Sequence, residues 1–85
     1  MLENQAVEPA ERQLAITMRM LPFKKVCRQL DHIHGDFKSV MEAARQCDDT
    51  QLINATEAVV RSLDAAIKAA MAAKVSKEAW LNEHF

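Results

Sequence analysis

The sequence contains very few of the residues that shape turns, loops and reactive sites. Its 85 residues include one glycine, two prolines, two cysteines, one tryptophan, three phenylalanines and no tyrosine. So few turn-forming residues argue against a β-sheet with many hairpins, and the alanine-rich remainder favours an all-α protein. A single glycine also excludes a glycine-rich loop of the kind that binds phosphate groups.

The chain also lacks an excess of either charge and lacks long apolar runs. Its formal net charge is −1, whereas an obligate nucleic-acid binder normally carries a clear basic excess. We find no signal-peptide pattern and no run of roughly 18 apolar residues, so we expect a cytoplasmic protein without a membrane segment. The length predicts one domain over residues 1–85 with a limited core. Residues 1–8 are expected to form a flexible tail.

A regular apolar stripe is the strongest pattern that is present. Its members recur at alternating steps of three and four residues, which is typical of an amphipathic helix with a coiled-coil-like contact surface. The stripe comprises Phe23, Val26, Leu30, Ile33, Phe37, Val40, Ala44 and Cys47. It predicts a helix over about 23–47 that needs a partner surface. Gly35 lies within this helix, and a break there followed by an N-cap at Asp36 is the alternative.

Three further helical segments are predicted around this one. Pro9 suits a first turn and Pro22 disfavours helix at the residue before it, which gives a short N-terminal helix over about 9–20. The apolar frame shifts near residue 48, where Asp48 and Asp49 can cap a second long helix over about 50–74. Ser76 can cap a short C-terminal helix over 77–85, and continuation of the second long helix is the alternative.

These segments predict an antiparallel hairpin of two long helices. The second long helix has a broad apolar face with Leu52, Thr56, Val59, Leu63, Ala66 and Ala70 at its centre, and Ile53, Val60 and Ile67 beside them. Since one hairpin leaves apolar surface exposed, we expect two copies to dimerise into a four-helix bundle. A three-helix monomer closed by the N-terminal helix is the alternative.

The sequence offers no convincing reactive site. Cys27, Asp31 and His34 have spacing that could bring three metal ligands together on one helix, but no second ligand pair accompanies them. Cys27 also lacks the elements that would support a nucleophile. We therefore predict a protein that is not an enzyme and that has no catalytic residues, no metal and no cofactor.

Binding of another protein is the predicted function. In general form the chain resembles the small helical proteins of bacteria and phages that sequester another protein, such as secretion chaperones, immunity proteins, antitoxins and phage regulators. The resemblance implies a helical protein that regulates, neutralises or chaperones its partner. The predicted partner or dimer interface comprises Ile53, Val60, Ile67, Met71, Trp80, Leu81 and Phe85.

A basic patch supports an alternative function. Arg19, Lys24, Lys25 and Arg28 cluster around the junction of the first two predicted helices. Such a patch could serve a small nucleic-acid-associated regulator. The balanced net charge makes this alternative the less favoured one.

Overall fold

The computed structural model describes residues 9–85, which form two long helices joined by a tight turn. Helix α1 spans Pro9–Gln46 and helix α2 spans Thr50–His84. The helices run antiparallel: Arg12 near the start of α1 donates to the carbonyl of Asn82 near the end of α2 at 2.8 Å. The described helices form a rod that is about 57 Å long, the length of 38 helical residues at about 1.5 Å each. The predicted all-α hairpin is confirmed, and the predicted tail at 1–8 lies outside the described residues.

Neither described helix is long and apolar enough to cross a membrane.

The turn between the helices is formed by two aspartates in different roles. Asp48 has φ of 52°, the left-handed conformation that ends many helices and that aspartate tolerates better than most residues. Asp49 is the N-cap of α2, where its carboxylate accepts a hydrogen bond from the backbone N–H of Leu52 at 3.1 Å. The predicted helix start at this point is therefore confirmed.

The predicted break at Pro22 is wrong, because α1 continues through it from Pro9 to Gln46. Apolar residues on both sides of Pro22 keep one phase: Ile16 and Met20 are buried, and Phe23 packs against them. An interior proline costs a helix about 3 kcal/mol, and burial of these side chains against α2 offsets that cost. Pro22 itself is exposed, so water can reach the carbonyl that has lost its donor.

The predicted separate C-terminal helix is also wrong, because α2 runs without interruption from Thr50 to His84. Ser76 lies inside it and does not act as a cap. Leu81 keeps phase with Ala70 and is 1 % exposed, which explains why the helix persists past Ser76. The continuation that the sequence left as an alternative is the one observed.

Gly35 does not break α1, and the space around it is open. Its φ is not positive, and a Cβ at this position would meet nothing within 4 Å. We therefore expect Gly35→Ala to raise the free energy of unfolding by about 0.5–1 kcal/mol, since alanine loses less backbone entropy in a helix. Urea unfolding followed by far-UV circular dichroism measures this change. A loss of stability would instead indicate a helix break at residue 35.

The two helices meet along a continuous row on each, which we call the seam. Its members are buried or half-buried and recur at steps of three and four residues. On α1 the seam comprises Ile16, Met20, Phe23, Cys27, Leu30, His34, Phe37, Met41 and Ala44. On α2 it comprises Ile53, Thr56, Val60, Leu63, Ile67, Ala70, Lys74, Lys77 and Leu81.

The seam differs from the predicted stripe in every second position. Phe23, Leu30, Phe37 and Ala44 face α2 as predicted, but Cys27, His34 and Met41 alternate with them. Three members of the predicted stripe that the seam does not use remain exposed: Val26 by 47 %, Ile33 by 41 % and Val40 by 41 %. The most apolar row on α1 is therefore only partly used to hold the hairpin together.

Candidate protein-binding surfaces

One side of the hairpin carries a second apolar row on each helix, beside the seam. Each member precedes a seam residue by one position and recurs every seven residues, so that it borders the same side of the seam throughout. We call this surface the apolar face. It comprises Val26, Ile33 and Val40 on α1 and Leu52, Val59, Ala66, Ala73 and Trp80 on α2. Three of its α2 members were placed at the centre of that helix's contact surface by the sequence pattern.

Two shallow grooves show that the rows of both helices share this side. The first, of about 260 Å³, is lined by Pro22, Phe23, Val26, Ala70 and Ala73. The second is lined by Phe23, Ala73, Ser76, Lys77 and Trp80. Because Ala73 lines both grooves, the apolar face is continuous from Val26 to Trp80.

The opposite side of the hairpin carries charged groups that form ion pairs. Arg45 Nη2 of α1 lies 3.7 Å from Glu57 Oε1 of α2, and Arg61 Nη2 lies 3.7 Å from Glu57 Oε2. These side chains are largely exposed, so each pair contributes little to the free energy of unfolding. Their position shows that the charged rows of the two helices border the other side of the seam.

Over residues 21–46 and 52–80, the two rows that border the seam on one side differ sharply in charge from the two rows on the other side. Nearer the open end, the rows on the apolar side also carry Arg12, Arg19 and Glu83. On the apolar side one of sixteen positions is charged: Pro22, Val26, Gln29, Ile33, Asp36, Val40, Ala43, Leu52, Ala55, Val59, Ser62, Ala66, Ala69, Ala73, Ser76 and Trp80. On the other side eleven of sixteen are charged: Leu21, Lys24, Arg28, Asp31, Gly35, Lys38, Glu42, Arg45, Asn54, Glu57, Arg61, Asp64, Lys68, Met71, Val75 and Glu78. A solvated surface would not need this segregation, whereas a contact surface does.

The predicted interface residues are divided among three environments. Ile53, Val60 and Ile67 are half-buried in the seam, so they hold α2 against α1 rather than face a partner. Leu81 is 1 % exposed and belongs to the buried cluster with Ile16 and Met20. The exposed members are Met71, Trp80 and Phe85.

The exposed aromatic residues lie at the open end of the hairpin and contact charged groups. Trp80 stacks on His84 with ring centroids 4.3 Å apart, and the ammonium of Lys77 lies 4.7 Å from the Trp80 ring centre. The guanidinium of Arg19 lies 4.5 Å from the ring centre of Phe85. These contacts orient the aromatic rings while leaving nearly half of the Trp80 and Phe85 surfaces exposed.

The predicted basic patch is split by the helix. Arg19 donates to the carbonyl of Ala15 at 3.1 Å and covers Phe85, on the same side of α1 as Val26. Lys24, Lys25 and Arg28 point toward the charged side and the outer surface of α1 instead. The four residues therefore do not form one surface.

The three residues considered as metal ligands lie in different surroundings. Cys27 is half-buried in the seam and Asp31 is exposed. Nε2 of His34 is buried and lies 2.8 Å from Oδ1 of Asp64, although their alignment falls short of a hydrogen bond. Within residues 9–85, no three histidine, cysteine or acidic side chains group as a metal site. Cys27 and Cys47 are both free thiols.

Another group of exposed apolar side chains lies on the outer surface of α1 near its start, and we call it the outer stripe. Leu14, Met18 and Leu21 are 59 %, 60 % and 53 % exposed. The sequence pattern predicts a separate helix over about 9–20 that contains Leu14 and Met18 and could pack across the hairpin. Since α1 is continuous, their side chains face away from α2 and remain uncovered.

Comparisons with models of protein families, with curated proteins and with solved structures gave no match to this chain.

Proposed function

We propose that this protein is a non-enzymatic, cytoplasmic binding protein that regulates, neutralises or chaperones a partner protein through helix–helix contacts, and that it acts as a homodimer of hairpins. One observation carries the proposal. Within residues 9–85, eleven large apolar side chains are exposed by 40–66 %, whereas the buried apolar residues are Ile16, Met20, Ala44 and Leu81. A monomeric protein rarely exposes more large apolar side chains than it buries, because burying each one contributes roughly 1.5–3 kcal/mol to the free energy of unfolding.

Eight of these eleven side chains form two separate surfaces, the apolar face and the outer stripe, which supports two different contacts. Met71 and Val75 lie on the charged side, and Phe85 lies at the open end. The apolar face follows most of the rod and suits a long helical contact. The outer stripe of Leu14, Met18 and Leu21 lies on another side of α1, near the open end. A partner protein bound at the outer stripe would leave the apolar face available for assembly.

The alternative of a nucleic-acid-associated regulator has less support. Its four basic residues are divided between two sides of α1, and the guanidinium of Arg19 already covers Phe85. The outer positions that remain, Lys24, Lys25 and Arg28, have Asp31 close by in sequence. Fewer phosphate groups could therefore be contacted at once.

Photo-crosslinking in the native host tests the binding function. A photoreactive amino acid replaces Met18 in the outer stripe, and a second variant carries it at Lys38 on the charged side as the matched control. We expect Met18 to give an adduct heavier than two copies of the chain, and Lys38 not to give it. The added substitution Leu21→Asp should abolish that adduct. Adducts containing this chain alone at Met18 would contradict the proposed partner protein.

A further inference from the structure

The apolar face is symmetric about its own centre on both helices. On α1, Val26 and Val40 each lie seven residues from Ile33. On α2, Val59 and Ala73 each lie seven residues from Ala66, and Leu52 and Trp80 each lie fourteen residues from it. A surface with this spacing matches itself when it is reversed end to end, which is the requirement for a contact between two identical copies.

The two centres also lie at the same height along the rod. The 2.8 Å contact between His34 and Asp64 fixes the level of the helices there. Ile33 is one residue from His34, and Ala66 is two residues from Asp64, so at about 1.5 Å per residue both lie within one helical turn of that contact. One axis through this point can therefore serve both helices.

The size of the apolar face matches that of a stable interface. Leu52 and Trp80 are 28 residues apart, which corresponds to about 42 Å of helix. Val26 and Val40 are 14 residues apart, about 21 Å of helix, and each helix is about 10 Å wide, so the face measures about 600 Å² per copy. Two copies would bury about 1,200 Å² in total, which lies at the lower end of the range for specific protein complexes.

The residues that would meet across such an axis are compatible in size and charge. Val59 would lie opposite Ala73 of the second copy, and Leu52 opposite Trp80, so that larger side chains meet smaller ones or cover the ends. At the centre, Ala66 would meet its own copy between Ser62 and Ala69, which lets the backbones approach closely. Over residues 22–43 and 52–80, Asp36 is the only charged residue in the rows on this side, and Arg19 lies beyond the end of the Val26–Val40 row.

We propose that the apolar face binds the apolar face of a second copy, around a two-fold axis that lies in the plane of the contact, is perpendicular to the helices and crosses them at Ile33 and Ala66. Each helix then runs antiparallel to its own copy, and the two turns lie at opposite ends of the assembly. This inference rests on the proposed function, since it specifies the second copy as one of the hairpin's partners. The charged sides and the outer stripes of both copies stay exposed.

Light scattering of the purified 85-residue chain tests which face is used. The wild-type chain is expected to have the mass of two copies. Ala66→Glu should reduce it to one, because the axis would force two carboxylates together out of water. Ala65→Glu introduces the same residue one position away on the outer surface and should stay dimeric. Far-UV circular dichroism verifies that both variants remain helical.

Oxidative crosslinking tests the direction of the axis. With Cys47→Ser in the background, Ala66→Cys should form a disulfide-linked dimer, since residue 66 meets its own copy. The native Cys47 thiols should not link to each other, because the axis places them at opposite ends.

A monomeric wild type, a dimeric Ala66→Glu variant or efficient Cys47–Cys47 linkage would each overturn this inference. A monomeric Ala65→Glu variant would overturn it too, since the outer surface would then be the contact. Crosslinking of another protein at Met18 is measured separately, so failure of this dimer and failure of the proposed partner binding can be told apart.

Discussion

Leu81→Ala is expected to remove about 2–5 kcal/mol from the free energy of unfolding. The Leu81 side chain is 1 % exposed and packs with Ile16 and Met20, where α2 closes over the open end of the hairpin. Truncating a buried leucine loses apolar burial and leaves a cavity. The total free energy of unfolding of a domain of this size is roughly 4–13 kcal/mol, so the variant should lose a large share of its stability. Urea unfolding followed by circular dichroism measures it.

Leu14→Ala is the matched control for this prediction. It removes the same atoms from the same end of the rod, but from a side chain that is 59 % exposed. We expect its effect to stay within about 0.5 kcal/mol. Equal losses from the two variants would mean that Leu81 does not anchor the hairpin. Both proteins must be compared at one chain concentration, because association contributes to apparent stability.

Pro22→Ala is expected to stabilise the protein by about 1–3 kcal/mol. Proline inside a helix removes a backbone donor and crowds the carbonyl four residues earlier, here that of Met18. Alanine restores the hydrogen bond, and Pro22 is exposed, so little packing is lost. Thermal and urea unfolding should both shift in the stabilising direction.

The second proline of the chain provides the control. Pro9 is the first residue of α1, where proline is well tolerated, so Pro9→Ala should change stability by no more than about 0.5 kcal/mol. If Pro22 instead began a separate helix, as the sequence suggests, the two substitutions would have similar small effects. The difference between them therefore measures whether α1 is continuous.

Local sequence signals predicted the hairpin well where local interactions decide the structure. The change of apolar frame and the capping aspartates located the turn, and Asp49 acts as the cap. The same kind of signal failed at Pro22 and Ser76. At those positions the preference of one residue is outweighed by seam contacts on both sides, which connect residues far apart in sequence.

The choice of contact row could not be made from apolarity. Phe23, Leu30 and Phe37 can be extended to a seam through Val26 and Ile33 or through Cys27 and His34, since both choices keep steps of three and four. The sequence pattern favours the more apolar row, whereas the hairpin uses the other. The remaining row became the apolar face, so the candidate site emerged from the difference between expectation and structure.

The division of charge between the two sides of the rod also determines how contacts respond to ionic strength. A contact made through the apolar face involves almost no formal charge, so its equilibrium constant should hardly change between dilute buffer and about 1 M salt. A contact made through the opposite side, where Arg45, Glu57 and Arg61 are solvated, should weaken as the Debye length shortens. The salt dependence of binding can therefore distinguish a partner at the apolar face from a partner at the charged side without any mutation.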